Sequence, residues 1–351
     1  MLRRVLCPTL PLLIFSAASC SSGADDADAT LNPSGGAADG GQGTDGNATA
    51  STGIAPGAGS TSAGFPSVGS PSAGSVNLTS SGTSSTTGGD GTPEICDGID
   101  NDGNGIADDV DAGGDGVCDC LNIATLGQIG PWSDGGNIFE TWLNARSPLG
   151  ATDLDDEVLT PELLAPFNVV VVLHVDTTAV ANGDRMAAAH HVFSDTEVAA
   201  FGGWVQNGGG VMTTIGYTGD EAAEVVNVNR LLAAVGVGYS ATNLDLTGHV
   251  QDWDEHPITL GVTNIFTDNG VEPAGTAGTT VARGQADGQP ALQVTEAGSG
   301  RVVVWGDEWI TYDSEWADVE EQQVELFWLN ILKWLSPPMT CQVPIPPEII
   351  K

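Results

Sequence analysis

Over residues 121–336, some segments have the apolar pattern of a strand and others have apolar residues at the spacing of a helix. The run VVVVLHV at 169–175 is a continuous apolar stretch of the kind that forms a strand buried on both faces. Ser194 with Glu197 three residues later is a capping box, and apolar residues at helical spacing follow it. Because strands and helices follow one another in this way, the pattern predicts an α/β domain with an open, mostly parallel sheet and helices on both faces.

The remaining elements are predicted by the same patterns. Further strands are predicted at 122–126, 211–215 and 301–305, and helices at 137–145, 160–167, 220–234 and 318–335. Pro337 and Pro338 would stop the last helix, since proline cannot continue it. Residues 240–300 lack a clear period, so we expect loops and short antiparallel pairs there.

Residues 1–19 have the organisation of a secretory signal peptide. Arg3 and Arg4 precede a short apolar run, LPLLIF, which is too short to span a bilayer, and small residues then lead to Cys20. This ending resembles a lipobox, although Ala17 stands where leucine is usual. The resemblance implies that Cys20 is acylated and anchors an outer-membrane or cell-surface lipoprotein in a bacterial envelope. An ordinary cleaved secretory signal is the alternative.

Composition and charge separate the rest of the chain into segments. Residues 20–92 are rich in Gly, Ser, Thr, Ala and Pro, so they cannot bury enough apolar surface to fold and are predicted to form a disordered stalk. The formal net charge is −37, and no Lys or Arg occurs between Arg4 and Arg146. Such a polyanion repels nucleic acid but attracts divalent cations. Residues 337–351 form a Pro-rich tail.

Four cysteines follow Cys20, an even number that is typical of two disulfides in an exported protein: Cys96, Cys118, Cys120 and Cys341. Three connectivities are open. A bridge between Cys118 and Cys120 would be strained, because only one residue separates them. The pairing that we prefer joins Cys96 to Cys118 and Cys120 to Cys341, so that the second bridge clips the C-terminus to the start of the domain.

Residues 93–120 are rich in Asp and Gly, and the loop 100–111 has oxygen-bearing side chains at positions 1, 3, 5, 9 and 12 with a glycine at position 6. Calcium takes about six to eight oxygen ligands. The order resembles the calcium loops of dockerins and thrombospondin type 3 repeats. That resemblance implies a calcium ion held by Asp100, Asp102, Asn104, the carbonyl of Ile106, Asp108 and Asp111. A weaker second copy begins at Asp111. The alternative is an acidic, turn-rich linker that binds nothing tightly.

Four short segments of the α/β region carry a further resemblance: GGGVMTTIG at 208–216, NRLLAAVG at 229–236, EHPITLGV at 255–262 and GRVVVWGDEW at 300–309. They resemble the class I glutamine amidotransferase-like superfamily, and its trehalose-utilisation-like, non-amidotransferase branch in particular. The resemblance implies a flavodoxin-like sheet. Active branches have a Cys on a turn after a central strand and a His after the last strand. The matching positions, 216–219 and 306–308, contain neither, which implies a degenerate domain.

Ligands of open α/β sheets gather outside the carboxyl ends of the strands. The residues expected at those ends as ligand contacts are His174, Tyr217, Thr218, Asp307, Glu308 and Trp309. Candidates for catalytic carboxylates are Asp220, Glu221, Asp307 and Glu308. The aromatic cluster beside the last strand either stacks on sugars or packs in the core: Trp305, Trp309, Tyr312 and Trp316.

The adjacent His190 and His191 are a candidate metal pair, but adjacent side chains are expected to point to different faces, and no acidic partner lies at helical spacing. We therefore expect structural roles for them, as we do for the other three histidines. Neither a Walker loop nor a GxGxxG turn after a strand is present, so nucleotide binding has no support.

Two functional hypotheses remain. The first is a surface-anchored, non-catalytic protein that binds a glycan or a surface protein. The second is a carboxylate-dependent hydrolase that acts on a glycan or a related extracellular substrate.

Overall fold

The computed structural model describes residues 92–114, 116, 118–132, 135–216, 221–284, 288–318, 321–343 and 349–350, which all lie in the unit Ser80–Lys351. For 221–224 and 241–246 only the main chain is described. The predicted signal peptide, Cys20 and, except for Thr92, the predicted stalk lie outside the described residues. No helix among the described residues is both long and apolar enough to cross a membrane.

The described chain alternates strands and helices in its first half and then continues mainly as strands. The strands are β1 Ile123–Leu126, β2 Thr152–Asp153, β3 Val169–Val172, β4 Val180–Asn182, β5 Arg185–Ala187, β6 Gly210–Thr213, β7 Gly238–Trp253, β8 Ile265–Ala274, β9 Thr279–Gly284, β10 Pro290–Ala297 and β11 Gly300–Trp305. The α-helices are α1 Asn137–Asn144, α2 Pro161–Leu164, α3 Asp195–Gln206, α4 Glu221–Leu232, α5 Asp313–Ala317 and α6 Val324–Leu335.

Nine of these strands form one open sheet in the order β2-β1-β3-β6-β11-β10-β9-β7-β8, and β4 and β5 form a separate hairpin. The strands β2, β1, β3, β6 and β11 run parallel to one another. From the β11–β10 pair onward the pairings of this sheet are antiparallel, and so is the β4–β5 hairpin. The predicted α/β fold with an open sheet, parallel in its core, is confirmed.

Each face of the parallel core is covered by its own layer of helices. Val169 and Val171 of β3 lie in a cluster with apolar residues of α1 and α6, whereas Val170 and Val172 lie in a cluster with residues of α3 and α4. All four valines are 0 % exposed. The continuous apolar run of the sequence is therefore a strand buried on both faces, as predicted.

Local capping signals set the helix ends that the sequence predicts. The Ser194 side chain accepts from the N–H of Glu197, and the Glu197 side chain accepts from the N–H of Ser194, so the capping box opens α3. Thr160 caps α2 by accepting from the N–H of Leu163. Gly236, past the end of α4, has a φ of 76°, the left-handed conformation that favours glycine.

Two predicted segments differ in part from the structure. The antiparallel pairing expected in residues 240–300 is confirmed, but the strands β7 to β10 are longer than the short pairs expected. Bulges and register shifts between β7 and β8 break the two-residue period that would have revealed them. The predicted helix 318–335 is shorter at its start, because Gln322 and Gln323 form a loop. Gln322 accepts from the N–H of Phe266, and Gln323 accepts from that of Thr263.

The disulfide pairing that we preferred from the sequence is also wrong. Cys96 is bonded to Cys120, and Cys118 is bonded to Cys341, with Cα–Cα distances of 5.3 Å and 5.1 Å. Cys118, Cys120 and Cys341 all belong to the apolar cluster that includes α6, whereas Cys96 is exposed. Cys118 and Cys341 are 3 % exposed and Cys120 is 9 % exposed, so the more deeply buried of the two neighbouring cysteines is the one bonded to Cys341.

The Asp-rich segment lies against the C-terminal tail. The preferred pairing implied the same contact, but through Cys120 and not through Cys118. The N–H of Ala107 donates to the carbonyl of Met339 at 3.0 Å, and the N–H of Cys341 donates to the carbonyl of Ala107 at 3.0 Å. A disulfide and two backbone hydrogen bonds thus join the two ends of the described unit.

Removing the Cys118–Cys341 disulfide should cost more stability than removing Cys96–Cys120, because the first bridge spans 223 residues and the second spans 24. The chain-entropy description puts the difference at about 2 kcal/mol. Denaturant unfolding of Cys118→Ser/Cys341→Ser and of Cys96→Ser/Cys120→Ser measures it. Nonreducing peptide mapping should find the two linkages above, and a peptide that joins Cys96 to Cys118 would contradict the structure.

Candidate functional site

The carboxyl ends of the parallel strands meet at one edge of the sheet. The chain leaves β1 at Gly127, β3 at Leu173, β6 at Thr214 and β11 at Gly306, all at this edge, because the four strands run in the same direction. Gln128 and His174 join the first two loops, since each backbone N–H donates to the carbonyl of the other residue, at 3.2 Å and 2.9 Å. This is the edge where the sequence places the ligand contacts.

Glu308 is seated at the centre of this edge. Its carboxylate accepts from the N–H of Gly130 at 3.2 Å and from the hydroxyl of Tyr312. A Cβ on Gly130 would lie 2.3 Å from one carboxylate oxygen, and a Cβ on Gly216 would lie 2.2 Å from the other. A side chain at either position would therefore displace the Glu308 carboxylate, which is carried by the loop after β11 and lies between the loops after β1 and β6.

The electrostatic environment of Glu308 disfavours its charge. Burial raises the pKa of the Glu308 carboxyl to about 7, although the hydrogen bonds from Tyr312 and Gly130 favour the ionised form. Burial and the neighbouring Glu308 charge likewise raise the pKa of the Tyr312 hydroxyl, which stays protonated and donates. The site therefore contains a carboxyl that changes its charge near neutral pH.

Asp307 is also buried, but its carboxylate is committed to the local backbone. It accepts from the N–H of Asp268 at 2.6 Å and from that of Trp309 at 3.2 Å, and burial raises its pKa well above the usual range. These bonds fix the turn after β11 against β8. The role of Asp307 and Glu308 as ligand contacts stays a prediction, since both carboxylates have protein partners on each oxygen.

The other predicted contacts fall into two groups. His174 lies at this edge, is 5 % exposed, and its Nε2 has no hydrogen-bond partner among the described residues. Tyr217, Thr218 and Asp220 lie outside the described residues, and for Glu221 only its place at the start of α4 is described. Their proposed roles stay predictions.

Most of the aromatic cluster packs in the core. Trp305, Tyr312 and Trp316 are buried, and only Trp309 is partly exposed. The indole N–H of Trp316 donates to the carbonyl of Ile310 at 2.9 Å, and Trp305 stacks on Trp253 with 6.3 Å between ring centroids. Buried packing, the second of the two uses that the sequence allowed, therefore applies to three of the four residues.

A cavity of about 310 Å³ opens at the carboxyl ends of β1 and β2. Its floor is apolar and includes Phe139, Leu143 and Leu173. The polar side chains that line it are Thr125, Gln128, Glu140, Asn144, Asp153 and Asp155. The volume is within the range of sites that hold small ligands, which is about 300–1,000 Å³. Sequence reasoning named the loop at Gln128 but missed the residues that α1 and β2 bring there from separate segments, namely Glu140, Asn144, Asp153 and Asp155.

A larger cavity of about 720 Å³ lies at the opposite edge, where Asn168, Gly209 and Arg301 stand at the amino ends of β3, β6 and β11. Its size alone does not make it the functional site, because the carboxyl ends of parallel strands are where ligands of open α/β sheets bind. Its lining is mostly small and apolar residues of α2, α3 and the segment after α6.

His190 and His191 do not point to different faces, contrary to the expectation from the sequence. Their rings stack with 4.5 Å between centroids, and both face Asp156, which follows β2 at the carboxyl edge. The chain between β5 and α3 is not a regular strand, so the alternation that the expectation assumed does not apply. The five histidines thus include a cluster that the sequence did not reveal.

The Asp-rich segment is organised by carboxylates that accept backbone hydrogen bonds. Asp100 accepts from the N–H of Gly103, Asn104 and Gly105, and Gly105 has a φ of 97°, the turn that the loop pattern predicts. Asp108 accepts from the N–H of Asp97 and Gly98.

The carboxylates that approach one another in this segment only partly match the predicted ligands. Oxygens of Glu94, Asp102 and Asp109 lie within 4.8 Å of one another. Glu94 and Asp109 were not among the predicted ligands. Oxygen ligands at this spacing suit a hard cation, so the donor set fits calcium, while the full predicted ligand shell stays a prediction.

No family model and no curated protein matches the chain. Among solved structures it is similar to the N-terminal domain of mmIFT52, with 15 % identity, 61 % of this chain and 97 % of that chain covered, and a TM-score of 0.47. It is also similar to a cytoplasmic protein from Salmonella typhimurium LT2, at 14 % identity, 62 % and 100 % coverage and a TM-score of 0.45.

A ThuA-like protein from Bacteroides uniformis is similar at 14 % identity, with 61 % and 91 % coverage and a TM-score of 0.40. All three TM-scores are below 0.5, so none of these likenesses establishes a family or a function. The amidotransferase-like, dockerin-like and thrombospondin-like resemblances of the sequence stay predictions.

Replacing Glu308 with glutamine should remove a pH dependence of stability. The folded state keeps the Glu308 proton up to about pH 7, while the unfolded chain releases it near its ordinary pKa of 4.5. The proton therefore contributes its full share of the unfolding free energy below the pKa that Glu308 has in the unfolded chain. This contribution is lost as the pH rises through the pKa that Glu308 has in the folded protein. Relative to Glu308→Gln, the wild type should lose up to about 3 kcal/mol of unfolding free energy over that interval.

Urea unfolding of both proteins at about pH 5 and about pH 7.5 measures this difference, and other titrating groups cancel in the comparison. If the two proteins respond to pH identically, Glu308 does not have a raised pKa.

Proposed function

We propose that this chain is a bacterial envelope lipoprotein, anchored through Cys20, whose α/β domain is a non-catalytic module that binds a glycan at the carboxyl edge of its sheet. The observation that carries the binding role is the cavity of about 310 Å³ at the ends of β1 and β2, with its polar rim and apolar floor. The anchor and the stalk rest on the sequence of residues 1–92.

The lining of the cavity favours a ligand rich in hydroxyl groups. Glu140, Asp153 and Asp155 offer carboxylate oxygens that accept hydrogen bonds, and Gln128 and Asn144 add amides that both donate and accept. Neither Lys nor Arg is among the described residues that line it. A phosphate or a carboxylate would meet negative charge there, whereas sugar hydroxyls would find acceptors, which supports a neutral glycan.

The geometry of Asp307 and Glu308 supports binding over hydrolysis. A general acid or base has to reach the substrate, and both carboxylates are engaged by protein donors beneath the surface. One observation favours the second candidate, a carboxylate-dependent hydrolase: the pKa of Glu308 is raised to about 7, a value suited to proton transfer at neutral pH.

A glycan array probed with the soluble mature chain should show saturable binding of at least one neutral oligosaccharide. The pair Glu140→Gln/Asp155→Asn should weaken that binding by about tenfold or more, since each good hydrogen bond contributes about 1 kcal/mol. Asn suits position 155, whose φ of 42° is left-handed. The control pair Glu162→Gln/Asp184→Asn removes the same charge from exposed positions outside the cavity and should bind normally.

Equal binding by the two pairs, or binding of no oligosaccharide, would contradict the proposed cavity. The hydrolase would be the correct interpretation if the protein released sugar from a bound oligosaccharide and if Glu308→Gln abolished that release without disturbing the fold.

We further propose that the segment 93–120 holds a calcium ion. The loop pattern, the net charge of −37 and the approach of Glu94, Asp102 and Asp109 to within 4.8 Å support this role. Calcium there would neutralise carboxylates that otherwise repel one another beside the Cys96–Cys120 disulfide. The consequence would be a stiff junction between the stalk and the domain.

Calcium at about 1 mM should raise the melting temperature of the full mature chain and protect the segment from protease. Asp102→Asn/Asp109→Asn should weaken calcium binding, measured by calorimetry, because it removes two of the three converging carboxylates. The control Asp184→Asn/Asp195→Asn removes two exposed carboxylates elsewhere and should leave the affinity unchanged. A chain that shows no calcium heat, or the same affinity in both pairs, has no site here.

A further inference from the structure

We propose that Asp156, His190 and His191 form a transition-metal site, of the zinc class, at the carboxyl end of β2. This site is distinct from both the glycan cavity and the Asp-rich segment, and it does not depend on the proposed function. One ligand atom from each of the three side chains lies within 4.8 Å of the others.

The backbone fixes the positions of the three residues. The N–H of His190 donates to the carbonyl of Asp176 at 2.7 Å, which ties the histidine pair to the loop after β3. The N–H of His191 donates to the Asp156 carboxylate at 2.8 Å. The pair is thus held beside Asp156 by main-chain bonds, which persist whatever the imidazoles bind.

The spacing of the side-chain atoms suits a small metal ion. The Nδ1 of His190 lies 3.4 Å from the Asp156 carboxylate and donates at 2.9 Å to the carbonyl of His191, a hydrogen bond that a metal ion would displace. The Nδ1 of His191 is hydrogen-bonded to the same Asp156 oxygen. Zinc binds imidazole nitrogen and carboxylate oxygen at about 2.0–2.2 Å in a tetrahedral arrangement, in which ligand atoms are about 3.3 Å apart. A metal ion would replace the proton that now bridges His191 and Asp156.

Glu197 supplies the support that metal-binding imidazoles require. Its carboxylate lies 2.7 Å from the Nε2 of His191, on the side of the ring away from Asp156. The Glu197 carboxylate is itself held in place, since it accepts from the N–H of Ser194 at 2.8 Å and from that of Leu159 at 3.1 Å. A carboxylate that receives the outer N–H of a histidine orients the ring and leaves the other nitrogen for the metal.

His190 is the buried member of the cluster, 6 % exposed, and its Nδ1 is the nitrogen that faces Asp156. The Asp156 side chain is 57 % exposed, so an ion can enter from solvent and water can complete its coordination.

The donor set decides between classes of cation. Two imidazoles and one carboxylate suit zinc, cobalt, nickel or copper, whereas calcium prefers oxygen alone. A test can therefore fill the acidic oxygen sites with calcium and observe the nitrogen site with a different metal.

Cobalt(II) titrated into the full mature chain in excess calcium should give visible absorption bands that saturate at one ion per chain and that zinc abolishes. Asp156→Asn should weaken cobalt binding by about tenfold or more, as should His191→Gln. Asp156 is largely exposed, so its substitution tests the site without threatening the fold. Circular dichroism checks both variants.

The control variants are Asp184→Asn and His249→Gln, which lie outside the cluster and should bind cobalt as the wild type does. The absence of cobalt bands in the wild type, or an unchanged affinity in Asp156→Asn, would overturn the proposal and leave the cluster as a hydrogen-bonded clamp.

Discussion

The burial of β3 on both faces is the constraint on which the rest of the fold depends. Four consecutive valines, Val169–Val172, have no exposed surface. Each face of such a strand needs its own layer of helices, because apolar side chains on an uncovered face would remain in water. α1 and α6 cover one face, and α3 and α4 cover the other. The crossovers that carry these helices bring every loop of the parallel half to the two ends of the strands.

Polar groups at the carboxyl edge are arranged around that core. Glu308 lies between two glycines, in the loops after β1 and β6, while Asp307 fixes the turn that carries it. These two carboxyls are buried and bonded to protein groups, so they hold the edge together and are not presented to solvent. The groups that can meet a ligand lie further along, in the cavity beside β2 and at the Asp156–His190–His191 cluster. The acidic residues that are bonded to the protein and those for which we propose binding roles are therefore neighbours at this edge.

The Asp-rich segment belongs to the described unit as firmly as the helices do. The Cys118–Cys341 disulfide and the backbone bonds of Ala107 attach it to the tail after α6. The segment is short and has little apolar core of its own. A cation among its carboxylates would reduce its conformational freedom, as the disulfides do.

The sequence by itself determined the α/β class, the doubly buried β3, the capping box of α3 and the edge of the sheet where polar residues gather. Those features follow from local chemistry: apolar periods, caps and the direction of parallel strands. Only the tertiary structure decided the disulfide pairing, the strands of 240–300, the cavity beside β2 and the facing of His190 and His191. Each of these depends on contacts between distant segments. Cys118 and Cys120, for example, both lie in the apolar cluster that includes α6, and no local pattern records which of them is bonded to Cys341.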